Sequence, residues 1–168
     1  MNIKPMLAYK AGIKPIDFSE QVYIQPKLDG VRCLFTKDGA FSRTGKQFMN
    51  VKHIENELQP LFNDYPNLIL DGELYNHALK NDFEKIISLV RKQKPNPFDR
   101  SEAYEFVEFH WYDVIDDDND ILFIDRNKFI HELLRDFFPY TDARHVFPLV
   151  TLRVDSLDKA RAIPVSYT

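Results

Sequence analysis

The sequence predicts a mixed α+β fold with largely antiparallel sheets flanked by helices. Three observations lead there. Strand-like and helix-like segments are interspersed without a regular βαβ rhythm, so a doubly wound parallel sheet is not expected. Lys37-Asp38-Gly39 interrupts a β-favouring run where an Asp-Gly pair makes a tight hairpin. Several later segments keep apolar residues at helical spacing.

Taken in order, Val22, Ile24, Val31 and Phe35 lie in β-favouring runs, which predicts paired strands over Gly30–Phe35 and Ala40–Arg43. Asn50 is expected to cap a helix carrying Val51, Ile54, Leu58 and Leu61, with Pro60 kinking or ending it. Leu68–Tyr75 reads as a strand. Over Asp82–Lys92, Phe83, Ile86, Ile87 and Val90 recur on one helical face, with basic residues where a helix C-terminus favours them. Tyr104–Ile115, aromatic and branched, predicts a strand, and Arg126–Phe138 an amphipathic helix. His145–Val154 predicts one more strand, and Ser156 the cap of a short last helix.

Composition bounds the rest. A chain of 168 residues, 14 % aromatic, suffices for one sizeable core, so a single domain is expected. The net charge of −4 excludes a globally basic surface, and any DNA contact must be a local patch. A single cysteine, Cys33, cannot form an internal disulfide, no segment reads as a secretory signal, and no apolar run approaches the ~20 residues of a membrane helix. A soluble protein of the reducing cytoplasm is expected. Asp116-x-Asp118-x-Asp120 begins like a calcium loop but lacks its glycine and closing glutamate, so it reads as a turn. The five histidines show no metal-ligand spacing.

The segment that points to chemistry is Gln25-Pro26-Lys27-Leu28-Asp29-Gly30-Val31-Arg32, a lysine just after one strand and before a turn into the next. Its Lys-x-Asp-Gly-x-Arg form arises by chance in such a chain about once in a thousand, which makes it worth following but not decisive alone. Downstream stand Ser42-Arg43-Thr44-Gly45-Lys46, Leu70-Asp71-Gly72-Glu73-Leu74-Tyr75, and Phe106-Val107-Glu108-Phe109-His110-Trp111-Tyr112-Asp113-Val114. These ordered blocks resemble the motifs of the covalent nucleotidyltransferase superfamily, and of the adenylation domain of ATP-dependent DNA ligases in particular.

That resemblance implies a lysine amine that attacks the α-phosphate of ATP, expels pyrophosphate and keeps AMP. Lys27 takes the nucleophile's place. An ordinary lysine, with a pKa of ~10.4, is protonated at neutral pH, so the site is expected to favour the neutral amine through desolvation or nearby positive charge, for which Arg32 is a candidate. Asp29 and Gly30 correspond to the turn that aims the lysine, with Asp29 also placed to orient the amine or the attacking hydroxyl. Arg32 and Arg43 match positions that grip the nucleotide or a strand's phosphate, a task suited to a guanidinium fork. Glu73 matches the carboxylate that contacts the ribose or helps hold Mg²⁺. Tyr112 stands where many relatives stack a phenylalanine on the purine, and Gln25 where the adenine edge is read.

Nicked duplex DNA is the partner the resemblance implies, in replication, repair and recombination. RNA ligases and capping enzymes share the chemistry, and a non-catalytic nucleotide-binding remnant is the alternative of another class. The family's Glu-Gly and Lys-x-Lys blocks and its OB-fold domain find no counterpart in the chain. A partial adenylation domain over 1–168 is therefore expected, with impaired activity or a second polypeptide supplying the rest.

Overall fold

A computed structural model describes residues 15–115, 121–136 and 143–163. The acidic turn at 116–120 lies outside them.

Two sheets organise the chain. The larger has the order β3-β2-β4-β5-β6 and the smaller pairs β1 with β7. β1 (Val22–Ile24) leads through the Lys27 turn into β2 (Val31–Thr36), which folds back on β3 (Gly39–Phe41). At the hairpin Gly39 takes φ +121°, a conformation an L side chain strains to adopt. β4 (Ile69–Tyr75) pairs antiparallel with β2, and β5 (Glu108–Ile115) antiparallel with β4. β6 (Val146–Pro148) joins β5 in parallel, the single exception to the antiparallel pattern among the described strands. β7 (Leu152–Val154) returns to β1, and Ser156 caps α5 (Leu157–Ala162) by accepting from the Lys159 N–H.

The pleat sorts residues by parity. Cys33 and Phe35 of β2, Leu70 and Leu74 of β4, and Phe109 and Trp111 of β5 point into one core. Helices cover that face. α1 (Lys52–Asp64) contributes Ile54, Leu58, Leu61 and Phe62; α2 (Phe83–Val90) contributes Ile86, Leu89 and Val90; α3 (Pro97–Phe106) adds Ala103, and α4 (Phe123–Asp136) adds Ile130 and Leu133. Gly72 occupies a core-side position of β4 because a Cβ there would lie 2.5 Å from the Phe109 ring and from the His110 carbonyl. Glu57 of α1 fastens the helical layer to β6. It accepts from the backbone N–H groups of Arg144 (3.0 Å) and His145 (2.9 Å) and pairs with His145 Nδ1 at 2.6 Å.

The elements depart from expectation in five places. Asn50 does not cap α1. Val51 holds that position without a side-chain bond, while the buried Asn50 amide donates to Leu89 O (2.9 Å) and Asp99 O (3.1 Å). Pro60 does not end α1, which runs on to Asp64; Pro60 and Asn56 lie on its exposed side, where the carbonyl freed by the missing N–H meets water. Phe83, 44 % exposed, is not part of the apolar face of α2, and Arg91 follows that helix. Tyr104–Phe106 ends α3 instead of opening a strand, since Asn96 and Asp99 form a reciprocal capping box with Pro97 at the first turn. The His145–Val154 run divides into β6 and β7, in different sheets.

Candidate functional site

The face of the large sheet away from the helical core is polar where β2, β4 and β5 meet. Strand parity puts Arg32, Asp71 and Glu73 there, with Arg32 opposite Glu73 in the register. Arg32 grips Asp71 through Nε to Oδ1 at 3.0 Å and a terminal nitrogen to Oδ2 at 2.5 Å, the two-pronged geometry a guanidinium offers a carboxylate. In β5 the register slips. Asp71 faces Asp113 while Gly72 faces Trp111, so Tyr112 is an extra residue. The bulge brings the Tyr112 ring to the polar side, 5.8 Å from the Arg32 guanidinium. Asp113 meanwhile anchors α4 through a paired contact with Arg126 at 2.8 Å.

Burial leads the shifts of three groups here. It pushes the Glu73 carboxyl up to about 7, against the pull of the Arg32 charge and of a hydrogen bond donated by the Gly30 N–H. It also raises Asp71, although Arg32 opposes the shift, and lifts the Tyr112 phenol far above its ordinary range with help from the Asp71 charge.

The turn carrying Lys27 packs against this cluster at Gly30, and Lys27 lies near enough for its charge to act on Glu73. Gly30 permits the approach: a Cβ there would stand 2.3 Å from Leu74 O and 2.7 Å from Glu73 Cγ. Lys27 itself is 84 % exposed and ion-paired with Asp29. The side chain therefore stands in open water beside an anion, while the expectation from the motif is desolvation or a nearby positive charge such as Arg32. Gln25 lies behind the turn, its Nε2 donating to Tyr112 O and to Thr151 Oγ1, both at 2.9 Å. Arg43 stands on the exposed segment after β3, and no bond joins it to the cluster.

Three participants had no assigned role in the sequence. Asp71 was legible in principle, because Asp71 and Glu73 two apart on a strand must share a face. Thr151 and Asn127, whose Nδ2 donates to Thr151 Oγ1 at 3.1 Å, had no signal, being joined to Gln25 only by the tertiary fold.

Among the described residues no group of three or more His, Cys, Asp or Glu side chains could hold a metal by itself. A groove of about 430 Å³ lies elsewhere, between α1 and α3, lined in part by Lys52, His53, Arg100 and Tyr104. Among the described residues no helix is long and apolar enough to cross a membrane.

A mixed sheet carrying a Lys-x-Asp-Gly-x-Arg turn against an Asp-Gly-Glu strand defines a ligase and nucleotidyltransferase type of domain. The match to a family model sharpens this: residues 20–164 fit the RNA ligase model, and the chain belongs to that family. Comparison with curated proteins finds no match. Solved structures share the fold. A Lig E DNA ligase, from a study of DNA binding with a minimal scaffold, superposes with a TM-score of 0.68 at 19 % identity, covering 94 % of this chain and 54 % of that one. The Chlorella virus DNA ligase-adenylate gives 0.60 at 20 % identity, covering 83 % and 46 %. The ATP-dependent DNA ligase of bacteriophage T7, in complex with ATP, gives 0.59 at 16 %, covering 84 % and 51 %. The chain spans about half the length of these three ligase structures.

Proposed function

We propose that this chain is the lysine-adenylating part of an ATP-dependent ligase that seals nicks in DNA, with AMP carried on Lys27. The observation that carries the reading is the close approach of Gly30 to Glu73, where a Cβ would stand 2.7 Å from Glu73 Cγ; it seats the lysine turn against the polar cluster on β2, β4 and β5.

In this reading Nζ of Lys27 attacks the α-phosphorus of ATP. A P–N bond forms, the P–O bond to the β-phosphate breaks and pyrophosphate leaves, while the ammonium sheds two protons, one to Asp29, its ion-pair partner, and one to water. Arg32, fixed by Asp71, offers its remaining donors to phosphate oxygens. The Tyr112 ring supplies a face for the purine. Gln25 supports adenine over guanine: with Nε2 committed to Tyr112 and Thr151, Oε1 is left as an acceptor. It suits the exocyclic amine of adenine and opposes the oxygen of guanine. Arg43 would meet phosphate at the rim of the site.

Mg²⁺ fits these residues in one way. Asp71 is taken by Arg32 and Asp29 by Lys27, which leaves Glu73 as the available carboxylate. A single carboxylate completed by substrate phosphates and water is a usual Mg²⁺ arrangement. The ion would neutralise charge on the departing pyrophosphate. A site with so few protein ligands has little hold on the metal without the nucleotide.

A second reading, an RNA-joining enzyme of the same chemistry, is favoured by the RNA ligase family match. Incubation with ATP or GTP and Mg²⁺, without nucleic acid, followed by intact mass and peptide mapping, tests the common step. One AMP adduct on Lys27, abolished in Lys27→Arg, is expected. A GMP adduct would point to capping chemistry, and no adduct to a nucleotide-binding remnant. The labelled chain is then offered nicked DNA and nicked RNA, of which DNA is expected to be joined.

A further inference from the structure

We infer that the purine selectivity of the site is set one layer behind the nucleotide, by Thr151 with Asn127 in support, which hold the Gln25 amide so that its oxygen cannot move aside. The inference rests on the reading of Gln25 as the adenine contact, and adds the positioning residues that make that contact selective.

An acceptor rejects a wrong base only if it is fixed. The glutamine side chain is long and rotatable. A free amide would present its oxygen to adenine, then turn over, or slide to the N1–H, to suit a 6-oxopurine. Two bonds remove that freedom. The Tyr112 carbonyl accepts and cannot donate, so the corner of Gln25 that faces it at 2.9 Å is Nε2. That contact decides which way round the amide stands. The second hydrogen of the amine goes to Thr151 Oγ1, also at 2.9 Å. With one nitrogen held from two sides, the plane of the amide is fixed as well as its sense.

Thr151 is itself held. β7 pairs with β1 through Tyr23 to Arg153 and Ile24 to Leu152, and the next step of that ladder sets Thr151 opposite Gln25. The Leu149 N–H donates to Trp111 O at 2.8 Å, which ties the link between β6 and β7 to the strand that carries Tyr112. From another direction Asn127 Nδ2 donates to Thr151 Oγ1 at 3.1 Å. Asn127 is buried on α4, and its neighbour Arg126 fastens that helix to Asp113 of β5 by two contacts of 2.8 Å. A threonine hydroxyl has two acceptor positions, and the two amide nitrogens fill both. Valine has the same shape and neither position. Removing the hydroxyl therefore leaves Gln25 with the Tyr112 bond alone, about which the side chain can swing, and Oε1 then yields to a base it should repel.

The test titrates the full chain with ATP and with inosine triphosphate, in Mg²⁺, by calorimetry. Inosine carries an oxygen in place of the 6-amine and a proton on N1. Lys27→Arg serves as the parent, so that no adduct forms during the titration. The parent is expected to bind ATP about tenfold or more tightly than inosine triphosphate. Thr151→Val is expected to lower that ratio about fivefold, the worth of one hydrogen bond, and Asn127→Ala about twofold. Thr151→Ser restores the hydroxyl and should restore the ratio. The inference is overturned by an unchanged ratio in Thr151→Val or Asn127→Ala, by equal weakening of both nucleotides, by a loss in Thr151→Ser as large as in Thr151→Val, or by a parent that binds neither nucleotide. Labelling of Lys27 by ATP in the wild-type chain reports separately on the ligase reading. A labelled chain whose ratio ignores Thr151 sinks the inference alone, and a ratio that depends on Thr151 without labelling sinks the ligase reading alone.

Discussion

The two faces of the large sheet are built from alternate residues of the same strands, yet they obey different rules. On the helical side, Phe35, Leu70, Leu74, Phe109 and Trp111 are held by exclusion of water, and their value lies in packed volume. On the other side, Arg32, Asp71, Glu73 and Tyr112 are partly withdrawn from water with their charges and polar groups attached, and burial raises the Glu73 carboxyl to about 7. An apolar replacement would satisfy stability on that side at least as well. The contrast teaches that one face is selected by folding and the other by what it must hold.

The largest effect should come from the folding face. Phe109→Ala removes a ring that is fully buried and packed edge-on against Phe35 at 4.5 Å, so a loss of about 3–5 kcal/mol is expected in denaturant unfolding. A loss below 1 kcal/mol would mean that this face is not the organising core. Next comes the ion pair of the other face. Asp71→Ala leaves Arg32 without its carboxylate, and since the Arg32 side chain is only 28 % exposed the expected loss is about 2–3 kcal/mol. The double change Arg32→Met/Asp71→Leu should recover most of that stability while abolishing adenylation of Lys27. Recovered stability with retained labelling would break the comparison, since the pair would then serve neither role.

Legibility in the sequence divided along the same line. The parity of Leu70-Asp71-Gly72-Glu73-Leu74 already separates the two faces of β4, and the apolar spacing of α1 and α4 marks their core sides. Apolar periodicity is a local signal and survives in the linear text. α3 was misread because its aromatic residues resemble a strand, although Asn96-Pro97-Phe98-Asp99 carried the stronger message of a capped helix start. Asn50 has the side chain of a cap, but it serves long-range carbonyls at Leu89 and Asp99 that no local rule can name. In the candidate site the residue types were legible from the ordered blocks. Their connections were not: the bulge at Tyr112, the commitment of Gln25 to Thr151 and the exposure of Lys27 all depend on contacts between distant segments.

Proton linkage sharpens the comparison further, because the side chains Phe35, Leu70, Leu74, Phe109 and Trp111 of the apolar face carry no titratable proton. Glu73 holds its proton in the folded chain up to about pH 7, whereas an unfolded glutamate releases it near 4.3. Between those values the native state binds more protons than the unfolded one, so this group's contribution to stability falls as pH rises and levels off above about 7. Discounted for partial exposure, the decline is about 2 kcal/mol. Glu73→Gln should remove that slope, and unfolding curves at pH 5 and pH 8 should show the variant gaining on wild type only at the higher pH. An equal difference at both pH values would show that Glu73 is already ionised in the native chain.

The smallest effect isolates the ring of Tyr112 from its hydroxyl. The phenol lies close enough to Asp71 to act on its ionisation, while the main partner of that carboxylate is the Arg32 fork, so Tyr112→Phe leaves Asp71 its two contacts with Arg32. The expected loss of stability is about 1 kcal/mol at most, the net worth of a single neutral hydrogen bond. If the aromatic face is what the nucleotide uses, the variant should retain adenylation within about threefold of wild type, while Tyr112→Ala should lose it by a larger factor through loss of stacking area. Parallel initial-rate measurements of Lys27 labelling with ATP decide between the two: equal defects in Phe and Ala variants would assign the role to the hydroxyl and to Asp71, and the polar face would then act through its charge network alone.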